Sequence, residues 1–289
     1  WTVCPQCQGQ GSHGFHFGRV AVCEGHVAPL DVAWDLWRGV PQVSLLIANR
    51  EGGKTRLIAV AEHLKARHQR VTISHMGAIE PQALRAREWL RHQTDGVPEE
   101  PPFVLDARTG EPALPGASGT VRELVKDDAE RVEWAHGAVI EFLPGTMAQA
   151  SGPHYRMSVL DEVDEAKPDV QQKFAKTATG HRAQFVMAST FSYATGTIAK
   201  VLRESPGIPV RTWCIFEAAQ KCTWDCDDVP LPDGTRGRCP LFEEEVIGGD
   251  GRRTIVPLCG GEKMRRSDGH IPMSAVLLKW QSSNPYSRN

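Results

Sequence analysis

From Val43 onward, short apolar blocks alternate with longer stretches of helical spacing. Residues 43–47 form an apolar block of strand length. Leu57, Ile58, Ala61 and Leu64 recur at helical spacing within 56–68. Residues 71–74 predict a second strand and 81–92 an arginine-rich helix. After a proline-rich stretch over 97–116, residues 131–145 read as a β-hairpin turning at His136-Gly137. Strands are predicted over 157–160, 184–188 and 210–215, with a helix over 196–203. Strands separated by helices predict an α/β fold, a mostly parallel sheet flanked by helices. Ahead of it, 31–38 predicts a helix with Trp34 and Trp37 as core anchors. Beyond Glu217 the periodicity dissolves into Cys, Asp, Gly and Pro, and no internal repeat is found. The expected organisation is a Cys/His module over 1–30, an α/β core over 31–216 and a Cys-rich segment over 217–289.

Composition narrows the picture only slightly. A 289-residue chain with 40% hydrophobic and 24% charged residues is long enough for a large core. Its net charge of -2 leaves room for nucleic acid only on a local basic face. No run of about 18 apolar residues predicts a membrane helix. The start, Trp-Thr-Val-Cys, has no basic residue, signal core or Met, and the end over 280–289 is polar. Both ends are expected to be trimmed or fragmentary.

The strand–helix junction at 48–55 carries candidate chemistry. Ala48 is followed by Asn49, Arg50, Glu51, Gly52, Gly53, Lys54 and Thr55, the Walker phosphate-loop pattern with Ala48 at its first glycine. Gly52 and Gly53 permit a backbone that turns its N–H groups inward. Lys54 reaches the outer phosphates of ATP and the Thr55 hydroxyl meets Mg²⁺. A helix start favours anions there. The added methyl of Ala48 changes the loop's shape and removes no functional group.

A triphosphate site also needs carboxylates. In 157-MSVLDEVDEA-166, Asp161 ends an apolar strand and is placed to hold the metal's water shell. Glu162 follows and is placed to deprotonate the attacking water. Asp164 and Glu165 read as surface charges. After the next strand, Ser189 and Thr190 are placed to feel the γ-phosphate.

With these elements in this order, the chain resembles the ATPase part of the large terminase subunit, the DNA-packaging motor of tailed bacteriophages and prophages. The resemblance spans about residues 40–215. It is carried by the loop at 48–55 with its internal basic residue, by 75-HMGAIEPQALRAREWL-90, by 143-LPGTMAQASGPHYRMSVLDEVDEA-166 and by 189-STFSYATGT-197. It implies a P-loop fold of the additional-glutamate type and ATP-driven translocation of double-stranded DNA in the host cytoplasm. A ring of subunits would act on a portal with a small terminase subunit. By the same resemblance Arg50 contacts the γ-phosphate or senses it, and Thr190 couples hydrolysis to movement. Large terminases continue into a nuclease domain; none is expected within these 289 residues, so any cutting activity is expected either on missing sequence or to be absent. The rivals are a helicase-like remodelling ATPase and a zinc-built DNA-binding or assembly module with a degenerate nucleotide site.

Seven of the eight cysteines fall in two clusters, which favours metal over disulfides. Cys4, Cys7, Cys23 and His26 have the spacing of a tetrahedral Zn²⁺ site, with His13 and His16 as substitutes for His26. Cys222, Cys226, Cys239 and Cys259 form a second candidate zinc set. Four protein ligands leave no open position, so both sites are expected to be structural. Lys263, Arg265 and Arg266 add a candidate phosphate-contact patch. Cys214 reads as a core residue of the last strand.

Overall fold

The structure is a computed structural model that describes residues 22–49, 52–94, 124–180, 182–190, 195–247, 252–267, 269 and 271–282. The expectations placed on Cys4, Cys7, His13, His16, Arg50, Glu51 and the stretch 97–116 lie outside these residues.

In chain order the first elements are α1 (Pro29–Arg38), β1 (Val43–Ala48), α2 (Lys54–Leu64), β2 (Thr72–Gly77), α3 (Glu80–Thr94), β3 (Leu124–Asp127), β4 (Arg131–Trp134) and β5 (Val139–Pro144). Then follow β6 (Met157–Asp161), α4 (Pro168–Phe174), β7 (Gln184–Ser189), α5 (Thr197–Glu204), β8 (Val210–Trp213) and α6 (Ile215–Ala218). The last are β9 (Val229–Pro230), β10 (Arg236–Gly237), β11 (Glu243–Ile247), β12 (Arg253–Pro257), α7 (Lys263–Arg266) and α8 (Met273–Ser282). Strands β3, β4, β5, β2, β6 and β7 are neighbours in that order in one sheet.

The chain divides into two compact units. One comprises the described residues of Trp1–Val32, Leu46–Gly53 and Val210–Asn289; the other comprises those of Ala33–Leu45 and Lys54–Pro209. In the second unit β5, β2, β6 and β7 run parallel, while β3 and β4 join antiparallel at the edge. Every residue of β6 and β7 is buried, as expected of parallel strands covered on both faces, so their sequences are nearly continuous apolar runs. Strand β3 is almost wholly exposed and short, and no apolar alternation marks it in the sequence. The hairpin turn sits at His136-Gly137, where Gly137 takes a φ of 87°.

Two helices depart from their sequence patterns. In α1 the buried anchors are Val32 and Leu36, while Trp34 and Trp37 are half-buried. Helix α2 widens into a π turn over Lys65–Gln69. The buried face of α2 runs through Ile58, Glu62, Lys65 and Ala66, and Leu64, on the opposite side, is exposed. The Lys65 ammonium donates to the Leu36 carbonyl at 2.9 Å and to Gln184 Oε1 at 2.7 Å. Burial, with the Arg156 charge adding to it, lowers its pKa to about 8.

The segment after Glu217 is more ordered than its composition predicts. In the first unit, Ala219, Val229, Leu241, Cys259, Met264, Met273, Val276 and Leu277 form a small buried core, with Trp224 and Trp280 packed against it. The hairpins β9–β10 and β11–β12 carry too few apolar positions to announce themselves as strands.

Candidate active site

The site in the second unit is built where parallel strands end and α2 begins. Asp161 is the last residue of β6 and pairs in register with Ala188 of β7 and Gly77 of β2. Lys54 and Thr55 open α2, so the lysine ammonium and the threonine hydroxyl stand at the positive end of a helix dipole. The Thr55 hydroxyl donates to Asp161 Oδ2 at 2.7 Å. The Lys54 ammonium donates to the Thr190 hydroxyl at 3.0 Å and lies 3.9 Å from Glu162 Oε1. The Ser189 hydroxyl donates to Glu162 Oε2 at 3.2 Å. Lys54, Asp161 and Ser189 are buried. Residues drawn from three stretches of sequence thus meet at the C-terminal edge of the sheet, the usual ligand edge of an open α/β fold.

Glu162 sits in a left-handed conformation, with φ 53°. Such a backbone is costly for a residue with a Cβ and commonly marks a functional position. Burial pushes its carboxyl above the ordinary range. The neighbouring Asp161 carboxylate adds to this, against the opposing pull of Lys54, the Ser189 hydroxyl and the Thr190 N–H. A carboxylate raised in this way is a better proton acceptor than a solvated one.

Behind Asp161 lies a buried pair that no spacing along the chain connects. His75, in the middle of β2, meets Glu62 of α2 through Nδ1 and Oε1 at 2.9 Å. Its Nε2 lies 3.8 Å from Asp161 Oδ2. Burial pulls the imidazole down, but the Glu62 carboxylate, the hydrogen bond to it and the Asp161 charge prevail and raise it. The two residues are 13 apart on different elements, so neither helical nor strand periodicity brings them together.

The turn after Asp161 is braced from both sides. Asp164, read from sequence as a surface charge, accepts the Ile198 N–H at 2.8 Å and so caps α5. Gly196 packs on it: a Cβ there would stand 2.7 Å from Asp164 Oδ1. Gln171 Nε2 donates to the carbonyls of Val163 and Ala166. Glu165 is exposed and accepts from Gln82.

In the first unit, Ala48 is buried at the end of β1 and Gly52 N–H donates to the Asn49 carbonyl at 3.0 Å. Gly53 takes a φ of 79°, the left-handed turn that glycine enters without penalty. The Gly52 carbonyl accepts the indole N–H of the buried Trp213 at 2.7 Å.

Two cysteine groups lie in the same unit. Cys23 and His26 are joined by Cys214 and Glu217, and the four ligand atoms all lie within 4.8 Å of one another. Cys214 is not a strand residue: it follows β8 and caps α6, its backbone N–H and thiol both directed to Glu217. Cys222, Cys226, Cys239 and Cys259 line one small, mostly apolar cavity together with Trp224 and Arg265. Among the described residues, closure of ligand atoms to within 4.8 Å is met by the Cys23 group and not by these four. Of the basic patch, Lys263 lies over the Phe216 ring at 5.5 Å, and Arg266 donates to the Val22 carbonyl at 3.0 Å.

No family model matches the chain, and no curated protein matches it. Among solved structures it is similar to the large terminase of a thermophilic bacteriophage, at 10% identity and a TM-score of 0.48, over 64% of this chain and 44% of that one. It is similar to the large terminase of bacteriophage HK97, at 12% identity and a TM-score of 0.48, over 69% of this chain and 40% of that one. The ATPase domain of a Thermus phage large terminase matches at 12% identity and a TM-score of 0.40, over 65% of this chain and 80% of that one. The chain therefore spans less than half the length of the first two.

Proposed function

We propose that this chain binds ATP with magnesium, hydrolyses it, and uses the hydrolysis to translocate double-stranded DNA. The observation that carries the reading is the meeting of Lys54, Thr55, Asp161, Glu162 and Thr190 at one strand edge, with the Thr55 hydroxyl 2.7 Å from Asp161.

Magnesium suits this donor set, since a hydroxyl and a carboxylate are hard oxygen ligands. Thr55 and Asp161 would hold it, and when bound it neutralises charge on the phosphate oxygens. Lys54 is placed to exchange its bond to Thr190 for the outer phosphates. Asn49, Arg50, Glu51, Gly52 and Gly53 would wrap the phosphates, with Arg50 meeting the terminal one. Glu162, held by Ser189, takes a proton from the attacking water. Thr190, freed as Lys54 turns to the nucleotide, passes the event to the segment beyond β7.

The DNA part of the proposal rests on the sequence resemblance to large terminases. A portal, a small terminase subunit and a ring of copies are proposed partners on the same ground, with the host cytoplasm as the place of action. Among the described residues no helix is long and apolar enough to cross a membrane. The soft donors of Cys222, Cys226, Cys239 and Cys259, gathered round one cavity, support a structural zinc in the C-terminal segment.

The test is ATP turnover by the full chain with and without linear duplex DNA, beside Lys54→Ala. Turnover that duplex DNA stimulates and Lys54→Ala abolishes supports the reading. Equal, slow turnover by both proteins sinks it. Strand displacement would point instead to a helicase-like enzyme.

A further inference from the structure

The spacing of Cys23 and His26 pairs them with Cys4 and Cys7, yet within the first unit they meet residues from about 190 positions away. Cys23 Sγ lies 3.8 Å from Cys214 Sγ. His26 Nδ1 lies 3.2 Å from Glu217 Oε2, and Cys214 Sγ lies 3.1 Å from that same oxygen. Zinc bonds of about 2.3 Å to sulfur and about 2.0–2.1 Å to nitrogen or oxygen set the edges of a tetrahedral shell. They are about 3.8 Å for two sulfurs, about 3.4 Å for nitrogen and oxygen, and about 3.6 Å for sulfur and oxygen. These three edges therefore lie within about 0.5 Å of zinc-shell values, and all four ligand atoms lie within 4.8 Å of one another.

Helix capping explains part of this arrangement and not the rest. Glu217 is the third residue of α6 and accepts the Cys214 N–H at 3.0 Å, as a capping-box glutamate does. The Cys23 backbone N–H also donates to Glu217 Oε1, at 2.8 Å. Neither bond gives a reason for the Cys23 thiol to lie against the Cys214 thiol or for the His26 imidazole to meet the same carboxylate. The Glu217 side chain is 1% exposed, and among the described residues its ion-pair partner is His26. Two thiols, an imidazole and a buried carboxylate make the borderline-soft donor set that zinc prefers. With all four positions filled by protein, such a site is structural.

Position gives the cluster a further role. Cys214 directly follows Trp213, whose indole N–H holds the Gly52 carbonyl in the turn before Lys54. A metal fixing Cys214 fixes the end of β8, hence the indole, hence the Gly52 peptide. We propose that Cys23, His26, Cys214 and Glu217 bind one zinc ion, and that this ion positions Trp213 against the phosphate loop. The second clause rests on the nucleotide site proposed above; the first stands without it.

The test begins with zinc counted in the purified full chain by elemental analysis. Cys214→Ala and Cys23→Ala should each lose one zinc per chain, while the double variant Cys4→Ala/Cys7→Ala keeps it. Cys214→His keeps a metal ligand and guards against misfolding. In cobalt-substituted protein it should retain the metal count and lose the share of thiolate-to-cobalt absorption that one of the site's two thiolates supplies. A wild-type chain without zinc overturns the proposal. So does a Cys214→Ala chain with the full count, or a Cys214→His cobalt spectrum identical to wild type. Loss of one zinc in the Cys4/Cys7 double variant would also overturn it, by giving Cys23 and His26 to that pair.

For the second clause, removing this zinc should weaken ATP binding by about tenfold, the scale of one lost hydrogen bond. Trp213→Phe should weaken it equally while keeping the zinc. Unchanged ATP affinity in both overturns the coupling. A chain that binds zinc here but no nucleotide in any form instead overturns the ATPase reading and leaves the metal site standing.

Discussion

The end of β6 and the head of α6 each gather four or five polar side chains, but they reach that result by different routes. Around Asp161, oxygen donors and a lysine stand at the termini of periodic elements, and a buried sheet fixes them before any ligand arrives. Around Glu217, soft donors come from a stretch without regular structure, a strand exit and a four-residue helix. There the proposed metal and the local fold would form together. A site on sheet ends can therefore lose a catalytic group and keep its shape, whereas a site made of loops is expected to loosen with its metal.

Glu162 offers the most severe trial of this contrast. Glu162→Gln keeps the side chain's size and removes the proposed proton acceptor. Turnover should fall by about 10²–10⁴-fold. Nucleotide binding, thermal stability and zinc content should stay at wild-type levels. Loss of stability in this variant would mean that the site on the sheet ends does not keep its shape when a catalytic group is removed.

Lys65 probes the sheet side. Its folded pKa of about 8 lies below the ordinary lysine value of 10.5, so the native state sheds this proton first. Between these values the unfolded chain binds more protons, and stability rises with pH. The buried ammonium thus costs about 3 kcal/mol below pH 8, since each tenfold change in its proton equilibrium is worth about 1.4 kcal/mol. Denaturant titrations from pH 7 to 10.5 should show that rise in wild type and not in Lys65→Met. Parallel curves would place the proton elsewhere.

The smallest expected effect is at Asp164. Asp164→Ala removes the acceptor for the Ile198 N–H and should cost about 1 kcal/mol, the usual worth of a helix cap. Gly196→Ala, which drives a methyl into the same carboxylate, should cost more in wild type than in the Asp164→Ala background. Additive losses would refute the contact between them.

What the sequence disclosed follows from the difference between these two regions. The strands that carry Asp161 and Ser189 are continuous apolar runs because they are buried on both faces, and a run ending in acids is visible without coordinates. Thr55 and Lys54 follow from the strand–loop–helix pattern around Gly52 and Gly53. Asp164 looked like a surface charge because its partner, the Ile198 N–H, is a backbone group on another element. Leu64 shares helical spacing with Leu57 and Ala61, but the face that packs is centred on Ile58 and Glu62, a charged residue that apolar spacing does not count. The Glu62–His75 pair and the Trp213–Gly52 bond depend on register between elements, which no single-strand pattern encodes. Cys214 looked like a strand residue because β8 ends one position before it, and Glu217 offered no signal until Cys23 and His26 arrived beside it.

The left-handed backbone at Glu162 also bears on how the protein could be made hardier. Glycine enters that region freely, so Glu162→Gly should relieve strain and raise folding stability even as it deletes the proposed base. A laboratory selection for thermal tolerance alone would collect that substitution, and the hardiest variants would be inert ones. Only a screen that also demands ATP turnover would keep the glutamate.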